Sequence, residues 1–174
     1  MNSEKVERDV PGALSASARA SDRDFPERLA HHTPGWVKSG AIFHIRIRLA
    51  PGSNLSLTTP ALAAEVLAAV RHYHTTGRWF AHLFLLMPDH THALLSFPPD
   101  AAMSTVVGAW KSYLTRAHSV RWQVNYFDHR IRHDKELAEK WDYIRRNPVV
   151  KNFCAQEADW PWQWVERDVP ARLP

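Results

Sequence analysis

Met87-Pro88-Asp89-His90-Thr91-His92-Ala93-Leu94-Leu95-Ser96-Phe97 is the stretch on which the reading of the fold turns. A Pro-Asp pair makes a tight connection, and an apolar, β-prone run follows, opened by two histidines two residues apart. Residues i and i+2 of a strand face the same way, so His90 and His92 project side by side with Thr91 opposite. Before the connection, Trp79 to Met87 is almost wholly apolar, which suits a strand covered on both sides. Two strands joined this closely form an antiparallel hairpin. His82, the exception in the first strand, reads as a core histidine rather than a ligand. The His90/His92 pair has two readings at this point. It is an ordinary polar-face pair, or two neutral imidazoles able to bind one divalent metal ion, with positions left for a third ligand and a substrate.

Working toward the N-terminus, Thr59 is placed as an N-cap with Pro60 at the first helical position. Leu62, Val66, Ala69, Val70 and Tyr73 follow at helical spacing, and Gly77 ends the run. Ahead of that helix, Ile42 to Leu49 alternates: Phe43, Ile45, Ile47 and Leu49 on one face, His44, Arg46 and Arg48 on the other with Ile42. The basic face is either a solvated sheet surface or a floor that attracts phosphate. Residues 1–35 carry no sustained period, with Pro-Gly and Ser/Ala stretches, and are read as a flexible leader. Residues 36–174 are read as a single domain.

Toward the C-terminus, Pro98-Pro99-Asp100 breaks the chain. Met103, Val106, Val107, Trp110, Leu114 and Ala117 then describe a second amphipathic helix, with Lys111, Ser112, Tyr113 and Arg116 on its polar side. Tyr126 to Arg132 reads as a short strand or extended segment. The order strand, helix, strand, strand, helix, strand is that of a ferredoxin-like α+β fold. Its antiparallel sheet carries two helices on one face and leaves the other open. Asp134 to Arg146 is strongly helical, with a narrow apolar stripe of Leu137, Trp141 and Ile144. Tyr143 lies about 120° off that stripe, so packing does not require it. Asn147 stands one turn above Tyr143, and Pro148 is expected to end or kink the helix. The Trp-rich tail, Trp160 to Trp164, is expected to pack back on the domain.

The totals bound the function. The chain has 174 residues, 45% hydrophobic and 23% charged, which is globular in composition. A net charge of +4 and a pI near 9.5 permit a polyanionic partner. A single cysteine, Cys154, rules out an intrachain disulfide and fits a reducing compartment. Met1 to Asp9 has no signal-peptide pattern, and no apolar run is long enough to span a bilayer, so a cytoplasmic protein is expected.

A histidine pair on an open sheet face, and a tyrosine on the helix that can cover it, suggest one reaction. A phenol oxygen attacks a phosphodiester phosphorus while a metal polarises a non-bridging oxygen. Asn147 is either a helix cap before Pro148 or a neutral oxygen that completes the metal site. Tyr113 and Tyr126 are rival nucleophiles; Tyr113 belongs to a helix expected behind the sheet. Arg46, Arg48, Lys111, Arg130, Arg132, Arg145, Arg146 and Lys151 are candidate phosphate contacts. His129 is either a general acid or a DNA contact.

Three stretches carry a family resemblance. Leu86-Met87-Pro88-Asp89-His90-Thr91-His92 resembles a histidine–hydrophobe–histidine motif. Asp142-Tyr143-Ile144-Arg145-Arg146-Asn147-Pro148-Val149 resembles a nucleophile segment, and Asp159-Trp160-Pro161-Trp162 follows near the end. Together they resemble the REP-associated tyrosine transposases, a branch of the IS200-like single-tyrosine transposases, from about Trp36 to Trp164. Thr91 departs from the usual bulky hydrophobe, but it points away from the ligands. The resemblance implies Mg²⁺ or Mn²⁺ held by His90, His92 and Asn147, with Tyr143 forming a 5′-phosphotyrosine. It implies nicking and joining of single-stranded DNA at REP-like hairpins, by a homodimer or a monomer. The alternatives are a non-catalytic reader of DNA hairpins and a metal phosphodiesterase that uses water.

Overall fold

The computed structural model describes residues 40–166. The expected leader at 1–35 lies outside the described residues. Nine elements follow in order: β1 (Ile42–Arg48), α1 (Pro60–Thr75), β2 (Phe80–Leu86), β3 (His90–Ser96), α2 (Met103–His118), β4 (Phe127–Arg130), α3 (Asp134–Val150), a short 3-10 turn (Glu157–Asp159) and β5 (Gln163–Val165). The strands form one antiparallel sheet in the order β4-β1-β3-β2-β5. The first four have the expected ferredoxin-like order, and the tail adds the fifth at the edge beside β2.

Alternation decides the two faces. Phe43, Ile45 and Ile47 of β1, Phe84 and Leu86 of β2, and Ala93 and Leu95 of β3 bury one face. Val66 and Val70 of α1 cover it with Val107, Trp110 and Leu114 of α2. On the reverse face Ile42, Leu83, Leu85 and Leu94 pack against Leu137 and Ile144 of α3 and against Trp160. Both helices of the first layer therefore share one face and α3 covers the other, as the order of elements required. The tail does pack back: Trp160 is buried and its indole N–H donates to the Leu86 carbonyl at 2.9 Å.

The start of α3 is tied down twice. His133 Nδ1 accepts the Glu136 N–H at 3.2 Å, an N-cap made by an imidazole. The Glu136 carboxylate in turn accepts the Arg132 N–H at 2.8 Å and meets His129 Nε2 at 2.6 Å. These bonds join the helix to the end of β4 and so set where its later turns lie over the sheet.

Of the two outcomes expected at Pro148, an end or a kink, the end is not observed: α3 runs on to Val150, and Lys151 is the C-cap. Proline removes one N–H near the helix end, where few helical bonds remain to be lost. The real stop is Asn152, in the left-handed region at φ 59°. There the Phe153 N–H reaches the Pro148 carbonyl at 2.8 Å and the Asn152 N–H reaches that of Val149 at 2.9 Å, a Schellman ending.

Candidate active site

β1 and β3 place the site by register. Arg48 lies opposite His90, Arg46 opposite His92 and His44 opposite Leu94. Directly paired residues share a face. His44, Arg46, Arg48, His90 and His92 therefore stand together on the α3 side of the sheet. The side chains converge further than the backbone requires. His90 Nε2 and His92 Nε2 are 3.1 Å apart, and His92 Nδ1 lies 3.1 Å from His44 Nε2, a diagonal contact across the strands. Behind His90, Asp89 Oδ1 meets Nδ1 at 2.6 Å.

This hydrogen bond decides a tautomer. A carboxylate only accepts, so His90 carries a hydrogen on Nδ1, and in the neutral ring Nε2 is then the lone pair. The same bond holds the Asp89 carboxyl down at about 2, against the opposing effect of burial. His92 is kept neutral by burial first, and a charge on it is further opposed by any proton on His90 or His44 and by Arg46 and Arg48, which together lower it to about 2. Burial, helped by Lys140, lowers His44 to about 4. Near neutral pH these two rings therefore stay uncharged, as metal ligation demands.

The pair fits a metal ion. Two nitrogens bound at right angles to one cation at ~2.1 Å stand about 3.0 Å apart, close to the separation of the two Nε2 atoms. Among the described residues no set of three His, Cys, Asp or Glu side chains surrounds one such point. A third protein donor must then be of another type. Asn147 is buried in α3; its Nδ2 donates to the Tyr143 carbonyl at 2.7 Å. The residue lies within α3, whose C-cap is Lys151, so the cap, one of its two readings, is not observed. No hydrogen bond joins it to either histidine among the described residues.

Tyr143 is brought to the histidines by its own chain. Its ring lies 5.7 Å from His92 and 6.2 Å from His44, edge-on to both, yet the residue remains 49% exposed. Lys140, one turn earlier, sets its ammonium 5.7 Å from the ring centroid. The rivals are elsewhere. Tyr126 is buried with the α1/α2 core, where burial pushes its phenol far up. Tyr113 is exposed on α2, behind the sheet.

The predicted cations divide. Arg46 and Arg48 flank the histidines; Arg46 lies 5.7 Å from the Phe127 ring, and Arg48 Nε is buried with no hydrogen-bond partner among the described residues. Arg146 and Lys151 are exposed on α3 and at its cap. Arg132 is exposed just beyond β4, and Arg145 faces Glu157 at 3.4 Å. Two residues are not brought to the site. Lys111 stands on α2, across the sheet, and donates to the Gln123 and Val124 carbonyls at 2.7 and 2.9 Å. Arg130 pairs with Phe43, whose side chain faces the α1/α2 core. His129 pairs with His44 across β1 and β4, on the site face, and is engaged by Glu136. Three participants were not singled out from sequence: His44, Asp89 and Lys140. The alternation of β1 put His44 on the right face, but only the diagonal contact shows what it meets.

No family model matches the chain. A REP-associated tyrosine transposase of Haemophilus influenzae, so named, is 31% identical over 105 residues, 51% of this chain and 60% of that protein. One of Escherichia coli is 32% identical over 93 residues, 52% of this chain and 56% of that protein. The chain thus spans less than two thirds of the length of these curated relatives, 60% and 56%. A solved structure of a REP-associated tyrosine transposase bound to a REP hairpin superposes with a TM-score of 0.63 at 23% identity, covering 79% of this chain and 87% of that one. That likeness shows the shared α+β fold. Both comparisons agree with the motifs: this chain is similar to the REP-associated tyrosine transposases, over about half its length by sequence and over 79% of it by fold.

Proposed function

We propose that this protein nicks and rejoins single-stranded DNA at REP-like hairpins through Tyr143, as a transposase does. The observation that carries this reading is the Tyr143 ring standing 5.7 Å from His92 on the face where His90 and His92 converge. The phenol oxygen forms a bond to the phosphorus, and the bond from phosphorus to the 3′-oxygen of the upstream strand breaks. The phenol proton passes to water and the departing 3′-oxygen takes one up. The product is a 5′-phosphotyrosine, which conserves the bond energy, so that another 3′-hydroxyl can reverse the step without ATP.

The chain's own residues prepare that step. His90 and His92, with Asn147, are the side chains that would hold Mg²⁺ or Mn²⁺. Held there, such an ion would supply Lewis-acid polarisation to the phosphoryl group. Asp89 orients His90. Arg46 and Arg48 offer positive charge to the phosphate beside the histidines, and Lys140 offers it beside the phenol. Because Tyr143 and the histidines belong to one chain, a monomer holds every named group.

The test is incubation of hairpin-bearing single-stranded DNA with Mn²⁺, followed by denaturing electrophoresis. A covalent protein–DNA adduct that does not form when EDTA is present during the incubation is expected. A salt-sensitive gel shift without cleavage would instead identify a hairpin reader, and cleavage without an adduct a water-using phosphodiesterase.

A further inference from the structure

The buried rings His90, His92 and His44, joined to the exposed Asp89 carboxylate, include one ring more than a two-histidine metal site needs. We infer that His44 is a positioning residue for His92: it determines which nitrogen of His92 carries hydrogen, and so whether His92 presents a lone pair beside His90. The inference rests on the reading of His90 and His92 as ligands of one cation.

The hydrogen count runs from the outside in. Asp89 obliges His90 to carry hydrogen on Nδ1, so in the neutral ring, the form that binds a cation, Nε2 is a lone pair. His92 Nε2 lies 3.1 Å from that lone pair. With no cation between them, His92 must carry its hydrogen on Nε2 and donate it to His90. A neutral imidazole has one such hydrogen, so His92 Nδ1 then accepts. Its partner at 3.1 Å, His44 Nε2, must donate. With a cation on both Nε2 atoms every role inverts. The His92 hydrogen moves to Nδ1 and is donated to His44 Nε2, and the His44 hydrogen moves to its own Nδ1. Two hydrogens change nitrogens; none is gained or lost by the protein.

His44 suits this exchange because its outer nitrogen is uncommitted. His44 Nδ1 is buried and has no hydrogen-bond partner among the described residues. No outside group therefore locks the ring in either tautomer. The ring plane is nevertheless held. His44 lies nearly coplanar with His92, their planes 19° apart and centroids 5.3 Å apart, and Phe127 and Tyr143 meet it edge-on at 5.6 and 6.2 Å. Glutamine can play both parts by rotating its amide; phenylalanine can play neither.

Three measurements test this. Long-range ¹H–¹⁵N spectra of the native protein should show His92 hydrogenated at Nε2 without metal and at Nδ1 with Mg²⁺. Direct Mn²⁺ binding, read from the free-ion resonance, should weaken about 10- to 100-fold in His44→Phe and stay within about 3-fold of native in His44→Gln. His90→Ala/His92→Ala should not bind Mn²⁺ measurably. Double-variant binding equal to native would overturn the ligand reading itself. Native binding that needs both histidines, together with an unchanged affinity in His44→Phe, would overturn only the role of His44. If His44→Phe fails to fold, the spectra decide: one His92 tautomer with and without Mg²⁺ overturns the inference.

Discussion

Tyr126 and Tyr143 lie on opposite faces of the same sheet. Tyr126 is buried in the core beneath α1 and α2, whereas Tyr143 stands half-exposed against His92. A nucleophile must reach both substrate and cation. Tyr143→Phe is therefore expected to abolish the covalent DNA adduct, and Tyr126→Phe to retain it. Denaturing gels of the two variants beside the native protein check this; an adduct in Tyr143→Phe would remove the proposed nucleophile.

Asp89 stands outside the imidazole pair but decides its chemistry through the 2.6 Å bond to His90 Nδ1. An amide in its place can donate as well as accept, so the tautomer of His90 is no longer dictated. Asp89→Asn should weaken Mn²⁺ binding about 10- to 100-fold with little change in thermal midpoint. Titration of the free Mn²⁺ signal measures it, and an unchanged affinity would show that the bond is not needed to orient the ligand.

Arg48 and Lys111 provide a contrast between cations on the two sides of the sheet. Arg48 is opposite His90, while Lys111 is spent on two carbonyls of the segment leading to β4. Single-strand affinity measured against salt should lose about 0.7 from its logarithmic slope in Arg48→Gln, one phosphate contact. Lys111→Gln should leave the slope unchanged and lower stability instead. Equal loss of slope in both variants would contradict this division.

His82 gives the fold an acid sensitivity of its own. It is buried beside Ser96, whose Oγ lies 2.9 Å from His82 Nε2, and burial, then His74, lowers its pKa to about 4 against Glu166 acting the other way. The ordinary histidine value is 6.5, so between pH 6.5 and 4 the unfolded chain binds a proton that the folded chain refuses. The stability is complete above pH 6.5 and is lost as pH falls toward 4, by up to roughly 3 kcal/mol. Urea midpoints from pH 7.5 to 4 should fall less steeply in His82→Gln than in the native protein; parallel curves would argue against it.

Trp160 fastens the tail to the sheet through its indole N–H and its buried ring. Trp160→Phe should cost about 1 kcal/mol, the hydrogen bond alone, and Trp160→Ala about 3–5 kcal/mol. Chemical denaturation separates the two, and a negligible cost for alanine would mean that the tail adds nothing to the second core.

Local pattern was enough for the first four strands and the first two helices, but not for the edge strand that the tail adds. The alternation of Phe43, Ile45 and Ile47 and the 3.6-residue spacing of Val106, Val107, Trp110 and Leu114 each settle which face is buried, because one face must leave water. The same arithmetic set Tyr143 off the apolar stripe of α3 and His90 beside His92. What local pattern could not supply was distance across the sheet. His44 is 48 residues from His92 in sequence, and their contact exists only because β1 and β3 pair in one register. Lys111 and Arg130 looked equivalent to Arg46 and Arg48 as positive charges, but strand pairing and helix placement put them across the sheet. A charge in a sequence has a sign and no direction; the long-range backbone ladder supplies the direction, and with it the side of the protein on which chemistry can occur.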